Sequence, residues 1–186
     1  ELAKRFDLSR APRREALARL ERCHLIERIP NAGARVVKLS TQGLLSLYQL
    51  RETLEGLACR LAAEHMADSE IAELRALLDQ HLNTQRVREG ESYYQEAGDL
   101  DFHYRVILGS KNAYLINILC DELYYLVRMY RVQLGMNGPR VSRAFDEHKA
   151  ILNAIANRDG ELADLLMRRH IAASRRNIEK QLEQTG

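Results

Sequence analysis

No run of apolar residues in this chain approaches the ~18 needed to cross a bilayer, and no charged-then-apolar leader stands at its start. Neither a transmembrane helix nor a signal peptide is therefore expected. Cysteine is scarce: Cys23, Cys59 and Cys120 are widely spaced, odd in number and never part of a CxxC pair. That spacing argues against a structural zinc ribbon and for reduced core thiols in a cytoplasmic protein. Internal repeats and low-complexity segments are absent, and the second half has no credible strand. The chain opens at Glu1 without a methionine and already in a helical pattern, as expected of a fragment whose true start is missing.

What is present is unevenly charged. Residues 1–39 hold ten Lys/Arg against five Asp/Glu, a surplus of five positive charges. The whole chain nets +2, so the remaining 147 residues carry a net −3. A basic head on a slightly acidic body suggests a polyanion as partner of the head. The 186 residues suit one large domain or two small ones.

Local signals divide the head into helix, turn, helix and hairpin. Residues 1–6 read as a short helix and Asp7-Leu8-Ser9 as a turn. Ser9 is placed to N-cap the next helix, with Pro12 in its first turn. That helix is predicted to reach about Cys23, burying Ala16, Leu17 and Leu20. Residues 25–29 and 34–39 are β-rich, and Pro30-Asn31-Ala32-Gly33 between them reads as a hairpin turn. This is the outline of a winged helix-turn-helix. Its second helix would lie in the major groove with N-terminal Arg10, Arg13 and Arg14 at base edges or phosphates, and Arg35 would reach backbone or minor groove from the wing. A solvated basic helix is the alternative.

Beyond the hairpin six helices are predicted, at about residues 42–66, 69–88, 92–108, 112–134, 141–157 and 161–184. The first carries a stripe of Leu47, Leu50, Leu54, Leu57 and Leu61. The third carries Asp99 and His103, four residues apart and so one turn apart on one face. The fifth and sixth carry His148 and His170 among apolar neighbours. Four ligand-type side chains from three helices of a bundle can meet on one metal ion. Imidazole and carboxylate suit Zn, Ni, Mn or Fe without choosing among them, and leave up to two octahedral positions open. Arg51 sits on an apolar stripe with Leu47, Leu54 and Ala58 and needs an anionic partner. Glu55, at i+4, is one candidate and an effector carboxylate another; Arg128 and Arg131 are weaker candidates of the same kind.

The head residues resemble a known family. Ser9-Arg10-Ala11-Pro12-Arg13-Arg14-Glu15-Ala16-Leu17, then Leu25-Ile26-Glu27-Arg28 and Asn31-Ala32-Gly33-Ala34-Arg35-Val36, look like the GntR family of bacterial transcription regulators, with Arg13 where that family usually has valine. By position Ser9, Arg10 and Arg14 match the family's recognition-helix contacts, and Asn31 and Gly33 its wing tip. The body resembles the ligand-binding (FCD) domain of the family's FadR branch, through Asp99-x-x-Phe102-His103, Ser110-x-Asn112, Glu147-His148-x-x-Ile151 and Met167-x-x-His170-Ile171. Six helices suggest the VanR-like subgroup. The resemblance puts the four metal ligands on Asp99, His103, His148 and His170, and excludes Asp101. It implies a mostly α protein: residues 1–40 a winged helix-turn-helix lacking its N-terminal part, residues 41–186 an all-α six-helix bundle for metal and effector. Such a regulator would bind a palindromic double-stranded DNA operator as a homodimer, with a small organic acid as effector. The rival readings are a metal-dependent hydrolase-like enzyme and a regulator that senses the metal itself. Against the enzyme, no Asp or Glu is clearly placed as a general base.

Overall fold

The computed structural model describes residues 9–30, 32–87, 101–134 and 139–185. Helix α1 (Arg10–Arg22) begins after Ser9, which has the extended backbone of an N-cap but makes no capping hydrogen bond with its side chain. The sequence-based capping role of that hydroxyl is thus corrected. Arg19 and Arg22 in the last turn complement the helix dipole. The expected buried face is corrected too. Ala16 is exposed, Leu20 is 38% exposed and Leu17 only half-buried. What α1 buries is its end: Cys23 is enclosed and its thiol donates to the Asp121 carbonyl at 3.2 Å.

Strands β1 (Ile26–Ile29) and β2 (Gly33–Val36) pair antiparallel, with Ile26 opposite Val36 and Ile29 opposite Gly33. Gly33 has φ +94°, in the left-handed region that glycine adopts without strain, so the turn predicted at Pro30–Gly33 has the residue it needs. The second strand ends three residues earlier than predicted, because the backbone then leaves the hairpin for the helical part of the chain.

Helix α2 (Thr41–His65) starts at Ser40, whose hydroxyl accepts from the Gly43 amide at 3.0 Å. Tyr130 grips this joint: its hydroxyl donates to the Ser40 carbonyl at 3.2 Å and accepts from the Ser40 amide at 3.3 Å. The buried stripe of α2 is Leu44, Leu47, Tyr48, Arg51, Glu55, Ala58, Cys59 and Ala62. The predicted leucine stripe is therefore misplaced by part of a turn, for Leu50 and Leu57 are 44% and 38% exposed. Small residues decide this. Gly56 lies so close to the last helix that an added Cβ would sit 2.4 Å from Asp164 Oδ1. Leucines cannot occupy a crossing that tight.

Helix α3 (Asp68–Val87) follows, with Asp68 and Glu70 in its first turn. Helix α4 (Phe102–Gly109) is short. The single helix predicted over residues 112–134 is divided into α5 (Ala113–Ile116), a π turn (Asn117–Glu122) and α6 (Tyr124–Leu134). Leu115, Leu119, Leu123 and Val127 are all buried at a spacing of four. An ordinary helix has 3.6 residues per turn and would carry that series off its face; a wider turn keeps it inward. The Leu123 amide bonds back to Ile118, five residues earlier, at 3.0 Å. Helices α7 (Pro139–Ala156) and α8 (Gly160–Thr185) complete the chain.

The main core joins α2, α3, α7 and α8 through Leu44, Leu74, Leu78, Ile151, Ile155, Met167 and Ile171, and Phe102 and Val106 of α4 close it. Burying each such side chain stabilises by ~1.5–3 kcal/mol. No helix among the described residues is long and apolar enough to cross a membrane.

Candidate metal centre and DNA-facing residues

Three buried histidines converge between α4, α7 and α8. His103 is the second residue of α4, so the start of that helix fixes where its ring points. The cap is Asp101, whose Oδ1 accepts from the amides of His103 at 2.9 Å and Tyr104 at 3.4 Å. Sequence reasoning ran one helix through residues 92–108 and placed Asp99 a turn before His103. The described helix starts only at Phe102, and Asp99 lies outside the described residues. Phe102, fully buried, stacks on the His148 ring at 4.3 Å between centroids. The His148 ring lies 5.0 Å from that of His103 and 4.6 Å from that of His170.

The Nε2 atoms face one another. His148 Nε2 is 3.2 Å from both His103 Nε2 and His170 Nε2. The three rings together form a group able to hold a metal ion. Nitrogens ~2.1 Å from one ion would stand about 3.0 Å apart at right angles and about 3.4 Å apart at tetrahedral angles. The observed spacing falls between those values.

Proton positions follow from the far side of each ring. His103 Nδ1 is 2.6 Å from Glu55 Oε2, and His170 Nδ1 is 2.6 Å from Glu147 Oε2. Burial alone would raise Glu55, but Arg51 and His103 outweigh it and hold the carboxyl far below the usual range. Glu147 is also lowered, with His170 and Arg140 overcoming its burial. Both carboxylates are ionised acceptors, so each Nδ1 carries the proton, and where the ring holds no second proton its lone pair lies inward on Nε2. Two inward lone pairs meet His148 Nε2, which has at most one proton to share. A cation relieves the conflict. A further proton on His170 is resisted, since burial, with the Arg140 guanidinium beside it, brings it down to about 4 despite Glu147. The donor set therefore fits a divalent transition metal held by His103, His148 and His170.

Arg51 has its anionic partner in the protein: its Nε donates to Glu55 Oε1 at 2.6 Å, and its guanidinium lies over the Tyr48 ring at 4.8 Å. This is the intrahelical alternative weighed from sequence. Arg128 lies half-buried in α6; Arg131 follows in the same helix, its side chain outside the described residues. Sequence reasoning missed Glu147 and Arg140. Arg140 donates to Glu147 Oε2 at 2.7 Å, to the His170 carbonyl at 3.1 Å and to Ser174 Oγ at 2.9 Å. The signal was their separation of seven residues, two turns on one helix face. Burial pushes the thiols of Cys59 and Cys120 up, Cys120 to about 12, which makes them inert packing groups.

In the head, Ser9, Arg13 and Arg14 are exposed at the start of α1, and Arg10 opens that helix with its side chain outside the described residues. Arg35 donates to Glu27 across the hairpin at 2.7 Å, an exposed pair that a phosphate can replace at small cost. Gly33 is exposed at the wing, and Asn31 lies outside the described residues.

Residues 46–173 match the FCD domain family, which is more than half of the chain. The chain belongs to the FCD-domain branch of the GntR regulators. Among its relatives is the Nta operon transcriptional regulator of Aminobacter aminovorans, 38% identical over 118 residues, which cover 62% of this chain and 54% of that regulator. A probable D-xylose utilization operon transcriptional repressor of Paenarthrobacter nicotinovorans is 29% identical over 177 residues, covering 93% of this chain and 74% of the relative. The chain thus spans about half to three quarters of the length of these relatives. In fold it is similar to Escherichia coli McbR/YncC, with a TM-score of 0.71 over all of this chain and 85% of that one, at 22% identity. Both relatives are named as transcriptional regulators.

Proposed function

We propose that this FCD-domain regulator binds a palindromic DNA operator as a homodimer through residues 1–40, a winged helix-turn-helix, and binds a divalent transition metal with a small organic acid effector in residues 41–186. The convergence of three buried Nε2 atoms, two of them with lone pairs turned inward, carries the reading. His103, His148 and His170 hold the ion, with Asp99 as the fourth ligand. When bound, the ion supplies the positive charge that an effector carboxylate meets. Arg51, Arg128 and Arg131 are the arginines assigned to the effector, and Arg51 offers it only what Glu55 leaves of the guanidinium. In the head, Ser9, Arg10, Arg13, Arg14, Asn31, Gly33 and Arg35 face the DNA. The joint at Ser40, gripped by Tyr130, ties the head to α2, which carries Arg51 and Glu55.

Elemental analysis of protein purified without chelator should find about one transition-metal ion per chain. His148→Ala should remove most of it, while His65→Ala, at an exposed position whose ring meets the Ser110 carbonyl, should not. A thermal-shift screen of carboxylic acids on the loaded protein should then find a stabilising ligand. No metal in the purified protein and none taken up on addition would reduce the site to a polar core. DNA affinity that follows metal concentration with no organic acid present would make the metal itself the signal.

A further inference from the structure

The same three-part arrangement occurs twice around the histidines. Arg51 donates to Glu55, and Glu55 accepts from His103 Nδ1, at 2.6 Å in both steps. Arg140 donates to Glu147 at 2.7 Å, and Glu147 accepts from His170 Nδ1 at 2.6 Å. In each case arginine and glutamate share one helix and the histidine belongs to another: α2 grips α4, and α7 grips α8. The arginines are themselves immobilised. Arg51 is buried over the Tyr48 ring, and Arg140 Nη2 donates to the His170 carbonyl and Ser174 Oγ. A carboxylate held this way stays an ionised acceptor placed against the Nδ1 proton. The histidine then has no alternative tautomer that keeps the bond.

Resting on the metal-binding reading above, we infer that Glu55 and Glu147 are positioning residues of the metal centre: gripped by Arg51 and Arg140, they hold the Nδ1 protons of His103 and His170 and so keep both Nε2 lone pairs turned toward the ion. Two consequences follow. Helix α2 supplies no histidine to the site and touches it through Glu55, so the helix that leads directly from the hairpin is coupled to the metal by one carboxylate. Arg51 then acts on the ion through Glu55 and His103, and its removal weakens metal binding as well as any effector contact.

The Glu147 side is the better one to test, since its side chain is 33% exposed where that of Glu55 is 4% exposed. Two quantities are measured on the full chain: Zn²⁺ affinity by competition with a chromophoric chelator, and the imidazole ¹⁵N–¹H correlations of the metal-free protein, which report the tautomer. Outer partners of metal-ligating histidines typically contribute ~10–100-fold in affinity. Glu147→Ala should lose that much and let the Nε2–H form of His170 appear. Glu147→Gln retains an acceptor for Nδ1–H, so it should keep the tautomer and lose less affinity. Arg140→Lys, which cannot hold both Glu147 and the α8 partners with one ammonium, should fall between parent and Glu147→Ala. Glu73→Ala, at an exposed acid paired with Arg105, should match the parent in both measurements. If the parent binds Zn²⁺ and Glu147→Ala binds it equally well with His170 still in its Nδ1–H form, the positioning role is overturned and the metal site stands. A parent that binds no Zn²⁺ overturns the metal site and the positioning role together.

Discussion

Acid should destabilise the metal-free protein through His170, and the size of the effect can be worked out from its surroundings. The ring is 4% exposed, and burial is the largest cause that brings its pKa from 6.5 to about 4. Between those values the unfolded chain binds a proton that the folded protein refuses. Stability is therefore full above pH ~6.5 and is lost as pH falls toward 4, by ~1.4 kcal/mol per pH unit. From pH 6.5 to 5 the loss is about 2 kcal/mol. In a protein of this size ~1 kcal/mol moves the melting temperature by roughly 2–4 °C, so a fall of about 4–8 °C is expected. Glu55 and Glu147 act in the same direction, because both are depressed, but their contribution is lost only below the ordinary carboxylate range. The pH 5–6.5 window thus isolates imidazole. Circular-dichroism melts of chelator-stripped parent and His170→Gln across that window make the comparison. The variant lacks the titrating ring, so its melting temperature should vary distinctly less with pH. Equal slopes for the two proteins would refute the argument that a buried, neutral His170 resists protonation.

Two further outcomes are expected. Gly56→Ala should cost ~1–3 kcal/mol by overpacking, since its Cβ would meet Oδ1 of Asp164, a carboxylate that Arg168 holds at Oδ1 and Arg60 at Oδ2; an unchanged urea midpoint would show slack at the α2–α8 crossing. In gel-shift titrations of the full-length protein, Arg10→Ala and Arg14→Ala should weaken operator binding, by ~1–3 kcal/mol with relaxed choice at one base pair if the arginine reads a base, or equally on all sequences with a flatter salt slope if it meets phosphate. Full affinity in both variants would remove α1 from the groove.

Several misplacements made from the sequence have a common origin. Helical periodicity identified an apolar face on residues 42–66, yet Leu50 and Leu57 are left outside while Ala58, Ala62 and Gly56 are inside. Bulk marks what a helix can bury, whereas close approach of a second helix selects for small residues, and the approach is not written in either helix alone. The undivided helix over residues 112–134 failed for a related reason. A run of leucines spaced by four is compatible with a slowly drifting α-helix or with a π turn, and the neighbour that needs them all on one side chooses between these. The head was readable for the opposite reason. Gly33 and Pro30 at the turn, and Pro12 at a helix start, act through their own backbone preferences and need no partner to show themselves.

What the sequence determined by itself was what lies within a turn or two of the chain: the helical body, the hairpin, the excess of positive charge before residue 40, and the helices carrying His103, His148 and His170. Those follow from backbone preference, side-chain period and composition, which are local. The tertiary structure alone decided that the three Nε2 atoms meet, that Arg51 spends its charge on Glu55, and that Glu55 and Glu147 reach histidines 48 and 23 residues away. It also decided that α4 starts at an Asp101 cap, which aims His103 into the cluster. Distance in sequence carries no record of which faces pack together. A charged side chain's partner is settled only when burial removes the water that would otherwise serve it equally well.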